Sequence, residues 1–568
     1  MKKPHITDWI SQFLSRENQI AIKYKKDNQW INMTWTDYLK NIVCLNIILQ
    51  KTLAKKNTQK CHIALMSNTR WEWSAFDLAI IGNNDITVPL YSNQTDADLI
   101  YILENCRPKL IIFETIKMHE QFKKIEKDLT FKLKTLVIEV LEINIELIKN
   151  KDCQIFINQM KKIKNEDTLS IIYTSGTTGN PKGVVLQHQA LVSEIVEGFA
   201  LFDLFTVDNQ PKVSLSFLPF AHVMGRIEHF GSVYAGYTLA FAENIDSLKK
   251  NLKEIRPDFL VAVPRIFEKI YSQVLNQIET QKYKKKLFEY TMDLARKVSY
   301  HRSTRQTMNL SLILQYEFLS RLVFAPIQKA FGGRLKFAIC GGAAMSEELV
   351  TLFSLMGIEI LVGYGLTETF AAVTINTIKN KQIGTVGKPI GDVEIKFEPD
   401  GEILIRSQKC MHEYYNNPQA TAEVIDAEGF FRTGDIGELT DDGYLKITDR
   451  KKDLIKTSGG KYVAPQKLEN MIKQNPFISE VLIVGEQQKF VSALLNIGEQ
   501  NLTAEISKKI KHAIQDVNSK LATYETIKKF EIVNDIWTTA NGSLTPSLKV
   551  KRKFLEKKYK TLIQKIYD

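Results

Sequence analysis

YTSGTTGNPKG, residues 173–183, is the stretch on which the reading of this chain turns. An apolar run from Leu169 to Tyr173 enters it as a strand. Four hydroxyl residues follow (Thr174, Ser175, Thr177 and Thr178), interleaved with Gly176 and Gly179 and closed by Lys182. Glycines let backbone N–H groups approach an anion, hydroxyls add donors, and a lysine adds a point positive charge. That is chemistry for holding phosphate. The spacing is not that of the kinase and GTPase P-loop, which needs G-x-x-x-x-G-K-[ST], because two residues separate Gly179 from Lys182.

Working outward, strand-like and helix-like segments alternate. CHIALM at 61–66, ITVPLY at 86–91 and KLIIFE at 109–114 predict strands; WEWSAFDLAIIG at 71–82 and TDADLIYILENC at 95–106 predict helices. That alternation points to parallel sheet covered by helices. KKIKNED at 161–167 reads as a solvated loop. VSLSFLP at 213–219 and FLVAVP at 259–264 continue the strand pattern. Residues 266–330 differ: they are Lys-rich, nearly free of Gly and Pro, and place Ile266, Ile270, Val274 and Ile278 at helical spacing, which predicts two or three long helices. Short strands with Gly-rich turns return over 331–448. Beyond Asp449 a charged stretch leads into about 115 residues with strands expected at 481–486 and 491–497, enough for a small independent domain.

The chain has 568 residues, 44% hydrophobic and 25% charged, which excludes a wholly disordered or fibrous protein and suggests three to four folding units. Lys and Arg number 76 against 64 Asp and Glu, a net charge of +12. Half of that surplus lies between Thr545 and Asp568, where seven Lys and one Arg meet only Glu556 and Asp568. A basic surplus points to anionic partners. The six cysteines, at 44, 61, 106, 153, 340 and 410, have no C-x-x-C spacing, so neither a disulfide framework nor a zinc site is expected. The N-terminus lacks the apolar segment of a signal peptide, and no unbroken run of 18 apolar residues predicts a membrane span. A cytoplasmic protein is expected, with contact at the inner membrane surface restricted to peripheral binding.

Further motifs accompany the phosphate loop in order: FAICGGAA at 337–344, GYGLTET at 363–369, FRTGDIG at 431–437, DRKKDLIKTSGGKYVAPQKLE at 449–469 and GSLTPSLKVKRK at 542–553. Together they resemble the signatures of the adenylate-forming enzymes, the superfamily of acyl-CoA synthetases, peptide-synthetase adenylation domains and firefly luciferase. LPFAHVMGR at 218–226 and RPDFLVAVPRIFEKIY at 256–271 resemble the long-chain fatty acyl-CoA synthetase branch. The resemblance covers essentially the whole chain. It implies an α/β fold: a large multi-subdomain N-terminal domain over 1–448 with parallel and mixed sheets layered with helices plus a β-barrel-like subdomain, a hinge at 449–453, and a small α+β lid over 454–568.

The same resemblance implies ATP, Mg²⁺ and CoA as ligands and a two-step reaction. A fatty carboxylate first joins AMP and releases pyrophosphate; a rotation of the lid then lets the CoA thiol take the acyl group. Glu368 is the carboxylate for Mg²⁺, a hard-oxygen role, with Thr178 beside it. Thr367, Thr178 and Lys182 would meet phosphoryl charge. Gly341, Gly342, Ala343, Tyr364 and Gly365 would cradle the adenine, while Asp435, Ile447 and Arg450 would hold the ribose. Lys549 is the expected catalytic lysine, although Leu548 stands where shorter-chain relatives carry glycine, which leaves Lys551 as the alternative. Lys452 would be the hinge, and Lys456, Gly459 and Gly460 the face presented in the second step. On the acyl side, His222 would orient the carboxylate, with Phe220 and Val223 nearby. All six tryptophans lie outside the middle of the chain, so any tunnel gate must use Arg226 or another side chain. The alternative acceptor is the phosphopantetheine of an acyl carrier protein. A non-catalytic nucleic-acid or membrane binder would leave the phosphate-loop set unexplained, and no helix-turn-helix, zinc-finger or RNP-like string is present.

Overall fold

The computed structural model describes residues 4–54, 60–174, 180–202, 212–279, 282–303, 307–475, 477–498, 502–538, 541–545 and 549–568. Two large sheets carry the N-terminal part. The first has nine strands. Its parallel centre runs Glu359–Leu366, Phe337–Cys340, Phe259–Ala262, Val213–Ser216, Thr238–Phe241 and Ile20–Lys26. Antiparallel strands finish both edges: Gln29–Thr34 at one, Ala371–Ile375 and then Lys388–Pro389 at the other. The second sheet has seven strands. Thr168–Thr174, Ile86–Leu90, His62–Met66, Leu110–Phe113 and Lys134–Val137 are parallel, and Lys182–Gln187 and Glu413–Tyr414 add antiparallel strands beside Thr168–Thr174.

The central strands are short apolar runs because both faces are covered; Ile86–Leu90 and Leu110–Phe113 are buried at every position. Threonine N-caps start three of the covering helices: Thr34 for Trp35–Leu53, Thr95 for Asp96–Cys106 and Thr115 for Ile116–Ile125. Helix Trp71–Gly82 is almost wholly buried, its apolar surface interrupted by Glu72 and Asp77. One core joins it to both sheets, with Ile63 and Leu65 from the seven-stranded sheet and Leu239, Phe259 and Leu361 from the nine-stranded sheet in the same cluster.

A third sheet, Glu394–Phe397, Glu402–Arg406, Phe431–Leu439 and Leu445–Arg450, is antiparallel and forms the smaller β subdomain, its last strand bonded through Leu445 to Val386 and Gly387. The C-terminal part has its own core around Glu480–Val484, Val491–Asn496 and Ile527–Val533, covered by helices Pro465–Ile472 and Ala504–Asn518. The Lys-rich region forms three helices, Pro264–Glu279, Lys282–Ser303 and Leu310–Ala330. The last of these bears on the expectation of no membrane span, and its buried C-terminal end is not that of a spanning helix. By length and composition Leu310–Ala330 is long and apolar enough, because scattered Ser, Gln, Glu and Arg interrupt every apolar run without outweighing it. All six cysteines are free.

Candidate functional site

The phosphate loop is anchored by strand pairing. Thr168–Thr174 and Lys182–Gln187 are antiparallel neighbours, with Thr174 directly opposite Lys182. The hairpin therefore fixes both ends of the loop. Ser175, Gly176, Thr177, Thr178 and Gly179 lie outside the described residues. Pairing extends one strand further, where Glu413 and Tyr414 lie opposite Val185 and Val184. Tyr414 is the consequence: its hydroxyl donates to the Glu368 carboxylate at 2.9 Å, and the Lys182 ammonium stands 4.7 Å from its ring centroid. The Met411 N–H donates to the Glu368 carbonyl at 2.6 Å. Lys182 and Glu368, 186 positions apart in the sequence, are thus joined through one tyrosine.

Glu368 itself sits on a tight turn. Strand Glu359–Leu366 runs straight into a single helical turn, Thr367–Thr369, closed by Phe370 at φ 48° and Ala371 at φ 88°. Left-handed backbone at non-glycine residues costs about 1–3 kcal/mol each and clusters at functional sites. Gly365 is required here, since a Cβ would run into the Ala371 carbonyl. Behind the turn, the Ala372 N–H donates to the buried Glu194 carboxylate at 3.1 Å, and the fully buried Lys409 lies 3.2 Å from Glu194 and 3.3 Å from Glu197. This buried ion group ties helix His188–Ala200 to the strand that follows Glu368.

Across the cavity, strand Phe337–Cys340 ends in Gly341, Gly342 and Ala343, with Gly342 at φ 78°. The Tyr364 hydroxyl donates to Asp435 at 2.7 Å, and the Arg450 guanidinium lies 3.2 Å from the other Asp435 oxygen. Strand register sets the second contact, because Asp435 and Arg450 are direct partners in the antiparallel sheet. Burial pushes the Asp435 carboxyl above its ordinary range, and Arg450, Tyr364 and Lys549 pull it back down. Asp435 is 4% exposed, so only a group entering the cavity can reach it.

His222 caps helix Val223–Ala235, its Nδ1 accepting from the Met224 N–H at 3.2 Å. Burial lowers its pKa to about 4, helped by the positive charge of Lys549, so the imidazole is neutral at neutral pH. Lys549 arrives from the C-terminal part, where its N–H donates to the Thr545 hydroxyl at 3.0 Å. Crowding and Arg450 push its ammonium pKa down while Asp435 opposes them, although solvent reaches the side chain through the cavity. Three polar contacts hold the C-terminal part in this place: Arg265 to Glu480 at 3.1 Å, Gln474 to Ser346 at 2.9 Å and Lys520 to Glu348 at 3.2 Å.

One cavity of about 2000 Å³ is lined by Thr174, His222, Val223, Gly341, Gly342, Ala343, Tyr364, Gly365, Thr367, Glu368, Asp435, Ile447, Arg450, Lys549 and Lys551. Among its lining groups are the neutral His222 imidazole, the carboxylates of Glu368 and Asp435, and the cations Lys549, Lys551 and Arg450, a set able to bind a polyanion beside a carboxylic acid. No cluster of three or more His, Cys, Asp or Glu side chains able to hold a metal occurs among the described residues. Glu368 alone still fits Mg²⁺, which takes one or two protein carboxylates and completes its shell with substrate phosphates and water.

Two expectations, Arg226 and Phe220, are corrected. Arg226 is fully buried and makes bidentate contacts with Asp77 at 2.8–3.2 Å, with its guanidinium 5.4 Å from the Phe230 ring and 5.9 Å from the Trp73 ring. It does not line the cavity, and a desolvated ion pair does not swing, so it is not a mobile gate. Phe220 is likewise a core residue, packed on Trp73, His229 and Phe241. Lys456 packs 5.5 Å from the Tyr462 ring, and Gly459 and Gly460 are exposed with nothing near, all away from the cavity in this arrangement. Lys452 is exposed on the turn that joins the two parts. Sequence reasoning missed Tyr414, Asp77 and the Glu194–Lys409 pair. Tyr414 had only an undistinguished Tyr-Tyr doublet as its signal, and the other two had none.

Comparison with known proteins gives the family and the fold. The AMP-binding enzyme family matches residues 12–415, and the AMP-binding enzyme C-terminal domain matches residues 452–568. The chain is 31% identical over 535 residues to the long-chain-fatty-acid–CoA ligase FadD15 of Mycobacterium bovis, covering 89% of this chain and 88% of that protein. It is 29% identical to the long-chain-fatty-acid–CoA ligase 5 of Rattus norvegicus, covering 97% and 86%. Among solved structures, the A-PCP didomain of carboxylic acid reductase from Segniliparus rugosus in complex with AMP superposes with a TM-score of 0.74 at 19% identity, covering 100% of this chain and 82% of that one. The anthranilate CoA ligase AuaEII with anthranoyl-AMP gives 0.72 at 18% identity, covering 99% and 98%. With the AMP-binding enzyme family matched over more than half of its length, this chain belongs to the AMP-binding enzymes.

Proposed function

We propose that the protein is an ATP-dependent long-chain fatty acid–CoA ligase. A carboxylate oxygen of the fatty acid attacks the α-phosphorus of ATP, and the bond to pyrophosphate breaks. The CoA thiol then attacks the acyl carbon, loses its proton, and AMP leaves. The observation that carries this reading is the meeting of Lys549, from the C-terminal part, with His222, Glu368 and Asp435 in one cavity. Two anions must come together in the first step, and cations placed where charge builds lower that barrier.

In this reading Lys549 faces the α-phosphate, with Lys551 as the neighbouring candidate. Lys182, Thr367 and the loop residues Ser175, Thr177 and Thr178 hold the remaining phosphoryl oxygens. Neutral His222, whose Nδ1 already accepts from the Met224 N–H, donates from Nε2 to the acyl carboxylate without adding charge. Asp435 and Arg450 hold the ribose, and Tyr364 with Gly341, Gly342 and Ala343 frames the base. When bound at Glu368, Mg²⁺ would neutralise charge on the phosphates. The boundaries 1–448, 449–453 and 454–568 follow from the same reading. Lys452 is the pivot on which the C-terminal part turns, bringing Lys456, Gly459 and Gly460 over the site for the thiol step.

The long-chain substrate is supported by similarity to the two ligases along most of the chain. An ATP–pyrophosphate exchange assay with C8 to C20 acids is the test. Exchange that depends on the acid and rises toward long chains supports the reading; exchange without a fatty acid, or only with aromatic acids, rejects it.

A further inference from the structure

We propose that the outer face of helix Leu310–Ala330 docks this protein on an anionic phospholipid bilayer, with the helix lying along the surface. Four large apolar side chains recur at every fourth position, Leu310, Leu314, Phe318 and Leu322, and each is 57–70% exposed. Residues four apart share a helix face, so these form one stripe rather than scattered singles. The other face of the helix is committed elsewhere. Phe324, Ile327 and Ala330 are buried in the core, and the Tyr316 hydroxyl reaches the Leu355 carbonyl at 3.4 Å. Because its C-terminal end is locked in the core, the helix can lie on a bilayer but cannot cross one.

The neighbouring helix Lys282–Ser303 supplies the charge that selects the occupant. Its inner face, Phe288, Met292, Ala295 and Val298, is buried. Its outer positions carry Lys284, Lys285, Lys286, Arg296 and Lys297, all exposed, against Glu289 and Asp293. Arg296 is paired with Asp293 at 2.9 Å, which leaves Lys284, Lys285, Lys286 and Lys297 against Glu289, a positive balance led by the three consecutive lysines. Tyr283, Tyr290 and Tyr300 are exposed on the same helix, and the Tyr290 hydroxyl contacts Gln315 at 3.3 Å, so the two helices lie side by side. Apolar side chains next to lysines and tyrosines match the layered chemistry of a bilayer interface: acyl boundary, phosphate, water. Docking of this kind does not depend on which reaction the protein performs.

Flotation of the full-length protein tests this, using vesicles of phosphatidylcholine alone or mixed with phosphatidylglycerol. Wild type should float with the anionic vesicles, and added salt should weaken the binding. Leu314→Ser/Phe318→Ser/Leu322→Ser should reduce partitioning by about tenfold or more while keeping the unfolding midpoint. Lys284→Gln/Lys285→Gln/Lys286→Gln should lose the preference for phosphatidylglycerol. Should the triple serine variant not fold, Phe318→Trp serves instead: relative to wild type, its emission should move to the blue with anionic vesicles. Wild type remaining unbound, a serine variant binding as wild type does, or a Phe318→Trp variant whose emission stays put would overturn the proposal. So would a wild-type dimer that those serines convert to a monomer without any vesicle binding, which would make the face a contact between two copies.

Discussion

Lys549 is held between opposing influences: crowding and Arg450 favour its neutral form, and Asp435 favours the ammonium. ATP phosphates would add to the second side and fix the charge when it is needed. Lys549→Ala should therefore reduce fatty-acid-dependent pyrophosphate release by about 100- to 1000-fold, yet leave thioester formation from supplied acyl-adenylate close to wild type. Adenylation near wild type would move the role to Lys551. Arg226 and Asp77 call for a stability measurement. Losing one partner of a buried ion pair costs about 3–5 kcal/mol, so Arg226→Ala and Asp77→Ala should each lower the unfolding free energy by about that much. The double variant should cost less than the sum. A swinging gate would instead change acyl-chain preference at unchanged stability. His229 gives a pH prediction. Burial in its aromatic surroundings lowers its pKa from 6.5 to about 3, with Arg226 adding repulsion. As pH falls below 6.5 the unfolded chain takes up a proton that the folded chain refuses, so stability drops on acidification. His229→Gln should flatten that decline between about pH 6.5 and pH 3 in melting curves compared with wild type. Parallel curves would contradict it.

At the scale of elements, the two strands flanking the phosphate loop explain how distant motifs converge. Thr174 and Lys182 are paired by the hairpin, and Glu413–Tyr414 extends the same sheet toward Glu368. The turn at 451–453 is the corresponding element for motion: Lys451 is bonded to Asp400 and Glu402 in the N-terminal part, and Leu454 N–H closes on the Arg450 carbonyl at 3.1 Å. Lys452→Pro fixes φ at the centre of that turn. It should retain acyl-adenylate formation and lose transfer to CoA, measured as separate half-reactions; equal loss of both would mean the turn is not the pivot. Much of this is legible in the sequence. Ile86–Leu90 and Trp71–Gly82 follow directly from apolar runs and periodicity. What stays hidden depends on register and packing. Tyr414 matters only because pairing puts it beneath Lys182, and Arg226 reads as a gate until Asp77, 149 residues away, is placed beside it. Helix Leu310–Ala330 escapes for a simpler reason: a count of unbroken apolar runs passes over a segment that is apolar only on average over its length.

For the whole molecule, the basic surplus resolves into separate parts. Lys549 and Lys551 at the start of the tail line the cavity, while Lys558 is paired with Asp535 at 2.8 Å and serves the C-terminal fold. Lys284, Lys285 and Lys286 belong to the proposed membrane face. The central claim is that two parts of one chain share a cavity to activate a fatty acid and hand it to CoA. It is tested most directly by incubating the purified protein with labelled oleate, ATP and Mg²⁺, offering CoA, an acyl carrier protein, or neither, and following oleoyl transfer together with nucleotide products. Oleoyl-CoA with equal amounts of AMP and pyrophosphate is expected, and oleoyl-AMP when no acceptor is present. Turnover only with the carrier protein, or ADP in place of AMP, would contradict it.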